Sequence, residues 1–253
     1  LDFNRRIIPN CPIVFLDGTY VPIKRRYEGT AKVEKECVMV ALGITEEGEK
    51  VVLGFYFAPN EGAWSWDDVL ADLKSRGLYS VSLFVTDGLQ GMPEAIHRNY
   101  PKAKHQLCLV HETRTICRDV RKSDRKTVSG DFKNVYSAKD RAEAESRLSD
   151  FESKWEKTYP KMVRKLRKQI DLFTFMDYPK LLWKSIYTSN AIEGFNSNLK
   201  RLTRKRILMN SEDNAVITIV SCCADYNKNA GKIRLRKFND MSDEEKNSLL
   251  LKN

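Results

Sequence analysis

Short apolar runs separated by turn signals fill the first 110 residues, a pattern that predicts strands more than long helices. Ile13 to Pro22 reads as a strand. Cys37 to Thr45 and Lys50 to Pro59 are apolar, β-rich runs, and the Glu46-Glu47-Gly48-Glu49 turn between them predicts a hairpin. Trp64 to Leu78 changes to helical spacing, with Trp66, Val69, Leu70 and Leu73 on one face. Val81 to Thr86 is again a strand, apolar on both faces except for Ser82, as a covered central strand should be. Pro93 to Tyr100 predicts a short helix and Lys104 to Val110 a further strand.

The pattern changes near His111. Ala144, Leu148, Phe151 and Trp155 form one helical stripe, and Val163, Leu166 and Ile170 a second beside the basic positions Lys161, Arg164, Lys165 and Lys168. No repeat, low-complexity tract or Gly/Ser linker separates this part from the rest, so it is expected to pack onto the sheet. The whole order predicts an α/β fold: a ribonuclease H-like mixed sheet flanked by helices, with an all-helical insertion. The expected parts are 1–111 (sheet), 112–185 (insertion), 186–230 (a later helix and the remainder of the sheet domain) and 231–253, a polar, peripheral tail.

Charge sharpens this division. The chain of 253 residues carries +10 overall, yet residues 1–110 hold 13 Lys and Arg against 14 Asp and Glu, while residues 111–253 hold 31 against 20. The excess lies wholly in the second half, as expected where that half follows a polyanion. The longest apolar runs fall short of the ~20 residues that span a bilayer, so no membrane partner is expected. The chain begins at Leu1 without a signal peptide and reads as a piece of a longer protein. Six cysteines, two of them adjacent at Cys222 and Cys223, do not read as a disulfide framework and fit a reducing, cytoplasmic setting. Cys108 and His111, with Cys117 as a third ligand, resemble half a zinc site, but no second pair completes it.

Two apolar runs end in Asp-Gly, at Asp17-Gly18 and Asp87-Gly88, and a third acid, Glu193, lies on a basic helix. Two acids at strand ends and one on a later helix can form an oxygen cage for divalent metal. Each has a plainer reading: Asp17-Gly18 as a hairpin turn, Asp87 as a helix N-cap, Glu193 as half of a capping box with Asn190. Helical geometry places Ile192, Phe195, Leu199 and Leu202 toward a core, and Glu193, Asn196, Ser197, Lys200 and Arg204 on the adjacent polar face. From Lys200 to Arg206 five of seven residues are basic, which favours phosphate contact. Lys200, Arg201, Arg204, Lys205, Arg206 and Asn196 are therefore candidate DNA contacts, and Lys24, Arg25 and Arg26 add a second basic cluster. His111 is a candidate catalytic residue that touches phosphate or orients a carboxylate. Cys108 reads as packing, and Trp155 as core more than as a base-stacking residue.

These strings resemble a family. Leu16-Asp17-Gly18-Thr19-Tyr20, Val85-Thr86-Asp87-Gly88, Cys108-Leu109-Val110-His111 and Tyr187-Thr188-Ser189-Asn190-Ala191-Ile192-Glu193 are similar to landmarks of the Mutator-type DDE transposases of bacterial insertion sequences. The similarity runs from about residue 8 to 228, with variants at Gly18 and Gly194-Phe195. It implies a ribonuclease H-like catalytic domain with its helical insertion between the second Asp and the Glu. It further implies a metal-holding, catalytic triad of Asp17, Asp87 and Glu193, with Asp17 bridging two Mg²⁺ ions and Mn²⁺ able to substitute. The implied partners are double-stranded transposon-end and target DNA, handled by a homodimer in the nucleoid-associated cytoplasm. An N-terminal DNA-binding region is expected ahead of Leu1. A ribonuclease H-like nuclease without strand transfer and a domesticated, non-catalytic DNA-binding protein are the two other readings.

Overall fold

A computed structural model describes residues 2–27, 30–58, 63–204, 211–229 and 234–250. The strands are β1 (Ile13–Tyr27), β2 (Thr30–Ile44), β3 (Lys50–Ala58), β4 (Leu83–Thr86) and β5 (Lys104–Leu107). They form one mixed sheet in the order β3-β2-β1-β4-β5. β1, β2 and β3 are antiparallel neighbours, whereas β4 runs parallel to both β1 and β5. Helices α1 (Ala63–Ser75) and α2 (Met92–Asn99) connect β3, β4 and β5. The expected order of elements is therefore present, and with helices on both faces it is consistent with a ribonuclease H-like fold.

β1 is longer than its apolar pattern. It continues past Pro22 to Tyr27, paired throughout with β2 from Ile13↔Ile44 to Tyr27↔Thr30. Pro22 is tolerated because β4 pairs with β1 only from Ile13 to Phe15; beyond that no described strand takes the second edge. The added arms are charged (Lys24, Lys32, Glu34, Lys35), so pairing was invisible to a reading based on apolar runs. Between β2 and β3, Gly48 takes φ 80°, which a side chain resists.

Alternation along the strands divides two cores. Ile13, Phe15, Val21, Val38, Val40, Leu83, Val85 and Leu107 face one way and pack with the later helices. Val14, Leu16, Met39, Ala41 and Phe84 face the other way, against Trp66, Val69, Leu70 and Leu73 of α1 and Met92, Ala95 and Ile96 of α2. β4 is buried on both faces, as its apolar run predicts.

β5 stops at Leu107, short of the expected Val110: Cys108 is the N-cap of α3 (Leu109–Arg118), so His111 is helical. Then follow α4 (Arg125–Tyr136), α5 (Arg141–Trp155), α6 (Pro160–Leu166), α7 (Trp183–Ile186), α8 (Asn190–Thr203), α9 (Glu212–Lys228) and α10 (Asp243–Asn247). Ala144 and Phe151 of α5 are buried as the stripe predicts. Trp155 packs at its edge and donates to Asp131. The second stripe is cut short: α6 ends at Leu166, leaving Ile170 62% exposed. The C-terminal stretch is not a peripheral tail. Leu235, Phe238, Met241 and Leu249 are buried, and Leu235 N–H donates to Gly48 O at 2.8 Å. Among the described residues no helix is long and apolar enough to cross a membrane.

Candidate active site

Register brings the first two acids together. Phe15 pairs with Val85 on the parallel β1–β4 ladder, which leaves Asp17 and Asp87, each two residues further on, near enough for the Asp87 charge to act on Asp17. Asp17 is mid-strand, opposite Val40, and not at a strand end or hairpin turn. Asp87 follows the last residue of β4, four residues ahead of Gly91, the actual N-cap of α2. Neither plainer reading of these two acids survives.

The third acid comes from α8, which packs on β1. Ile192, Phe195 and Leu199 anchor this helix in the core. Its N-cap is Ser189, not Asn190, and the Ser189 hydroxyl donates to Glu193 Oε1 at 3.0 Å. One turn on, Asn196 Nδ2 donates to Asp17 Oδ2 at 2.7 Å, which fixes α8 over the two strand acids. Asn196 was expected among the DNA contacts. It is instead 4% exposed and serves a carboxylate, and its Oδ1 has no hydrogen-bond partner among the described residues.

α3 closes the far side. Ser189 N–H donates to Cys108 Sγ at 3.2 Å, and Leu109 N–H donates to Tyr187 O at 2.9 Å, so the starts of α3 and α8 are cross-linked. His111 Nδ1 lies 3.3 Å from Ser189 Oγ and its Nε2 3.5 Å from Glu193 Oε1. Arg114, one turn along α3, forks the same carboxylate: Nη1–Oε1 3.1 Å and Nη2–Oε2 3.3 Å. Sequence reading passed over Arg114, which belongs to none of the conspicuous strings. Its only signal is the i, i+3 spacing from His111. Cys108 is buried as expected, and its thiol is also a hydrogen-bonding joint.

Charge within the site is uneven. Burial raises the Asp17 carboxyl to about 6; the Asn196 hydrogen bond opposes this and the nearby Asp87 and Glu193 charges reinforce it. Burial also raises Asp87, against the pull of His111, the Leu89 N–H and His105. For Glu193, the Arg114 and Ser189 hydrogen bonds outweigh burial and hold its carboxyl below the ordinary value. His111 is raised, first by its contact with Cys108 and then by the charges of Asp17 and Asp87. Among the described residues, Asp17 and Asp87 thus pair with no Lys or Arg, while the helix acid has Arg114. No group of three His, Cys, Asp or Glu among the described residues is gathered as it would be around an ion, and Cys108, His111 and Cys117 form no zinc site.

A cavity of about 480 Å³ is lined by Asp87, Leu89, His105, Lys165, Lys168 and Gln169 among others. Lys200, Arg201 and Arg204 are exposed along the outer face of α8. Lys205 and Arg206 lie outside the described residues. Lys24 is half-buried on the long arm of β1; Arg25 and Arg26 follow on the same arm, with their side chains outside those described.

A family model described as "Transposase, Mutator family" matches residues 2–230. The chain belongs to the Mutator transposase family. Among its relatives, the transposase for insertion sequence element IS905 of Lactococcus lactis is 40% identical over 224 residues, covering 88% of this chain and 56% of that protein. The transposase for IS1201 of Lactobacillus helveticus is 41% identical over 194 residues, 76% and 51% respectively. The transposase for ISRM3 of Rhizobium meliloti is 36% identical over 208 residues, 81% and 51%. The chain thus spans a little over half the length of these relatives.

Proposed function

We propose that this chain is the catalytic core of a DDE transposase. In this reading Asp17, Asp87 and Glu193 would hold two Mg²⁺ ions, with Mn²⁺ as an alternative, and residues 112–185 are an insertion between the second and third acids of a ribonuclease H-like domain. The observation that carries it is the approach of Asp17 on β1 and Asp87 just past the end of the neighbouring β4 to one another, with Asn196 of the Glu193 helix hydrogen-bonded to Asp17. The donor set suits a hard cation: carboxylate oxygens, plus the unpartnered, buried Oδ1 of Asn196. A site in which burial and like charge both raise an acid is one that a divalent cation would relieve. Glu193 must first release Arg114 to join.

Bound Mg²⁺ would neutralise the phosphate and acidify the attacking water. The chain's residues do the rest. Asp17 presents its oxygens from β1 and Asp87 from the end of β4, Asn196 orients Asp17, and Ser189 and His111 orient Glu193. Lys200, Arg201 and Arg204 would follow the DNA backbone and set its register, with Lys205, Arg206, Lys24, Arg25 and Arg26 as further candidate contacts. Water attacks a phosphodiester at the transposon end and frees a 3′ hydroxyl; that hydroxyl then attacks a target phosphodiester, so each step exchanges one P–O bond for another. Double-stranded transposon ends and target DNA are the proposed substrates. A homodimer would handle the two ends, and the nucleoid-associated cytoplasm is the proposed location.

The test supplies pre-cut duplex ends with a free 3′ hydroxyl, a supercoiled plasmid and Mg²⁺. Joined products lost in Asp87→Asn support the proposal. Cleavage without joining would replace it with a nuclease. Products or DNA effects unchanged by Asp87→Asn would remove the catalytic reading altogether.

A further inference from the structure

Arg114 holds both oxygens of an acid that the proposed chemistry needs free. Its guanidinium forks Oε1 and Oε2 of Glu193, and Ser189 adds a third hydrogen bond. A carboxylate engaged in this way has few lone pairs left for an ion. Asp17 accepts a hydrogen bond from the neutral amide of Asn196, and among the described residues no Lys or Arg ion-pairs with Asp17 or Asp87, although His111 lies near enough to act on both. The three acids therefore differ in kind: two have no Lys or Arg partner among the described residues, and one is latched by a guanidinium.

The latch is built to exchange. Arg114 is 54% exposed and reaches Glu193 from a different helix, so its side chain can swing without disturbing either backbone. A guanidinium fork matches phosphate oxygens as well as carboxylate oxygens. A guanidinium displaced from Glu193 would remain tethered to α3, whose His111, one turn back, is close enough to act on the charges of Asp17 and Asp87.

We propose that Arg114 exchanges partners during assembly of the site: it holds Glu193 in the DNA-free protein and passes to a DNA phosphate when that carboxylate turns to the ion. Charge is conserved in the exchange, since the guanidinium leaves one anion for another as a cation replaces it on Glu193. Ion capture and DNA binding then favour one another, because each removes a competitor of the other. Metal loading without DNA is held back by the same contact. The inference rests on the metal-dependent reading above.

Two measurements that need no turnover test it, both on the full chain. The first is Mn²⁺ binding without DNA, followed by the electron paramagnetic resonance signal of free Mn²⁺, for wild type, Arg114→Ala and Asp87→Asn. Several-fold tighter binding by Arg114→Ala, with weakening in Asp87→Asn, is expected. The second is binding to a short duplex over a range of salt, with Mn²⁺ or with EDTA. Loss of one phosphate contact in Arg114→Ala should make the log–log salt slope shallower by about 0.9 with Mn²⁺ and leave it unchanged in EDTA. Mn²⁺ affinity no higher in Arg114→Ala, or a slope that changes equally in both conditions, overturns the exchange while leaving the metal site intact. Mn²⁺ binding insensitive to Asp87→Asn overturns the exchange and the metal site together.

Discussion

Replacing Asp17 with Asn should make the metal-free protein more stable, by an amount that depends on pH in a defined way. Asp17 titrates at about 6 in the fold against an ordinary 3.8, chiefly through burial. A carboxyl whose folded value is raised holds its proton more tightly in the native state. It costs nothing below about 4, where both states are protonated; the penalty grows from there to about 6 and is complete above it. Each tenfold rise in proton affinity is worth about 1.4 kcal/mol, so the gap between the two values gives on the order of 3 kcal/mol at pH 8. For a chain of this size that corresponds to a Tm about 6–12 °C higher. Asn at 17 keeps an oxygen for the Asn196 amide, and its own N–H₂ can reach the unpartnered Asn196 Oδ1, so the exchange need not open a hydrogen-bonding defect. Urea and thermal unfolding in EDTA at pH 8 and near pH 4 measure the effect. Added Mg²⁺ should then raise the wild type toward the variant and leave the variant where it was. Equal stability at pH 8, or a gain that is the same at both pH values, would refute the assignment of a strained, buried acid.

Three further outcomes are expected. Asn196→Ala removes the hydrogen bond that lowers Asp17, so in EDTA the Asp17 carboxyl, followed by NMR, should titrate at higher pH than in the wild type; an unchanged titration would count against it. Lys200→Ala with Arg204→Ala, both exposed, should make the salt slope of DNA binding shallower by about 1.8 while thermal stability stays within about 0.5 kcal/mol. Gly43→Ala would place a Cβ 2.5 Å from Cys11 Sγ in the second core, and should destabilise the fold by about 1–3 kcal/mol in urea melts, an effect that Cys11→Ala should partly relieve.

The α8 face shows how close the sequence came and where it stopped. Ile192, Asn196, Leu199 and Thr203 follow i, i+4, i+7, i+11, so the signal that Asn196 points inward was present. It was outweighed by the polarity of the side chain, which suggested an outer face. Thr203, buried on the same line, makes the same point. Arg114 had no comparable signal, because a half-exposed Arg on a basic helix looks like any solvated charge until a carboxylate 79 residues away is found against it.

What the sequence alone determined is the class of element and the candidate chemistry: apolar periodicity requires the strands, the α1 face and the α8 anchor, and the acids stand in strings similar to those of the Mutator family. What only the tertiary structure decided is relation. Parallel register sets Asp17 beside Asp87, the cross-link of α3 to α8 gives Glu193 to Arg114, and burial turns Asp17 into an acid of about 6. Periodicity is a local property of the chain, whereas desolvation and pairing depend on groups distant along it, and those distances close only when the sheet and helices pack.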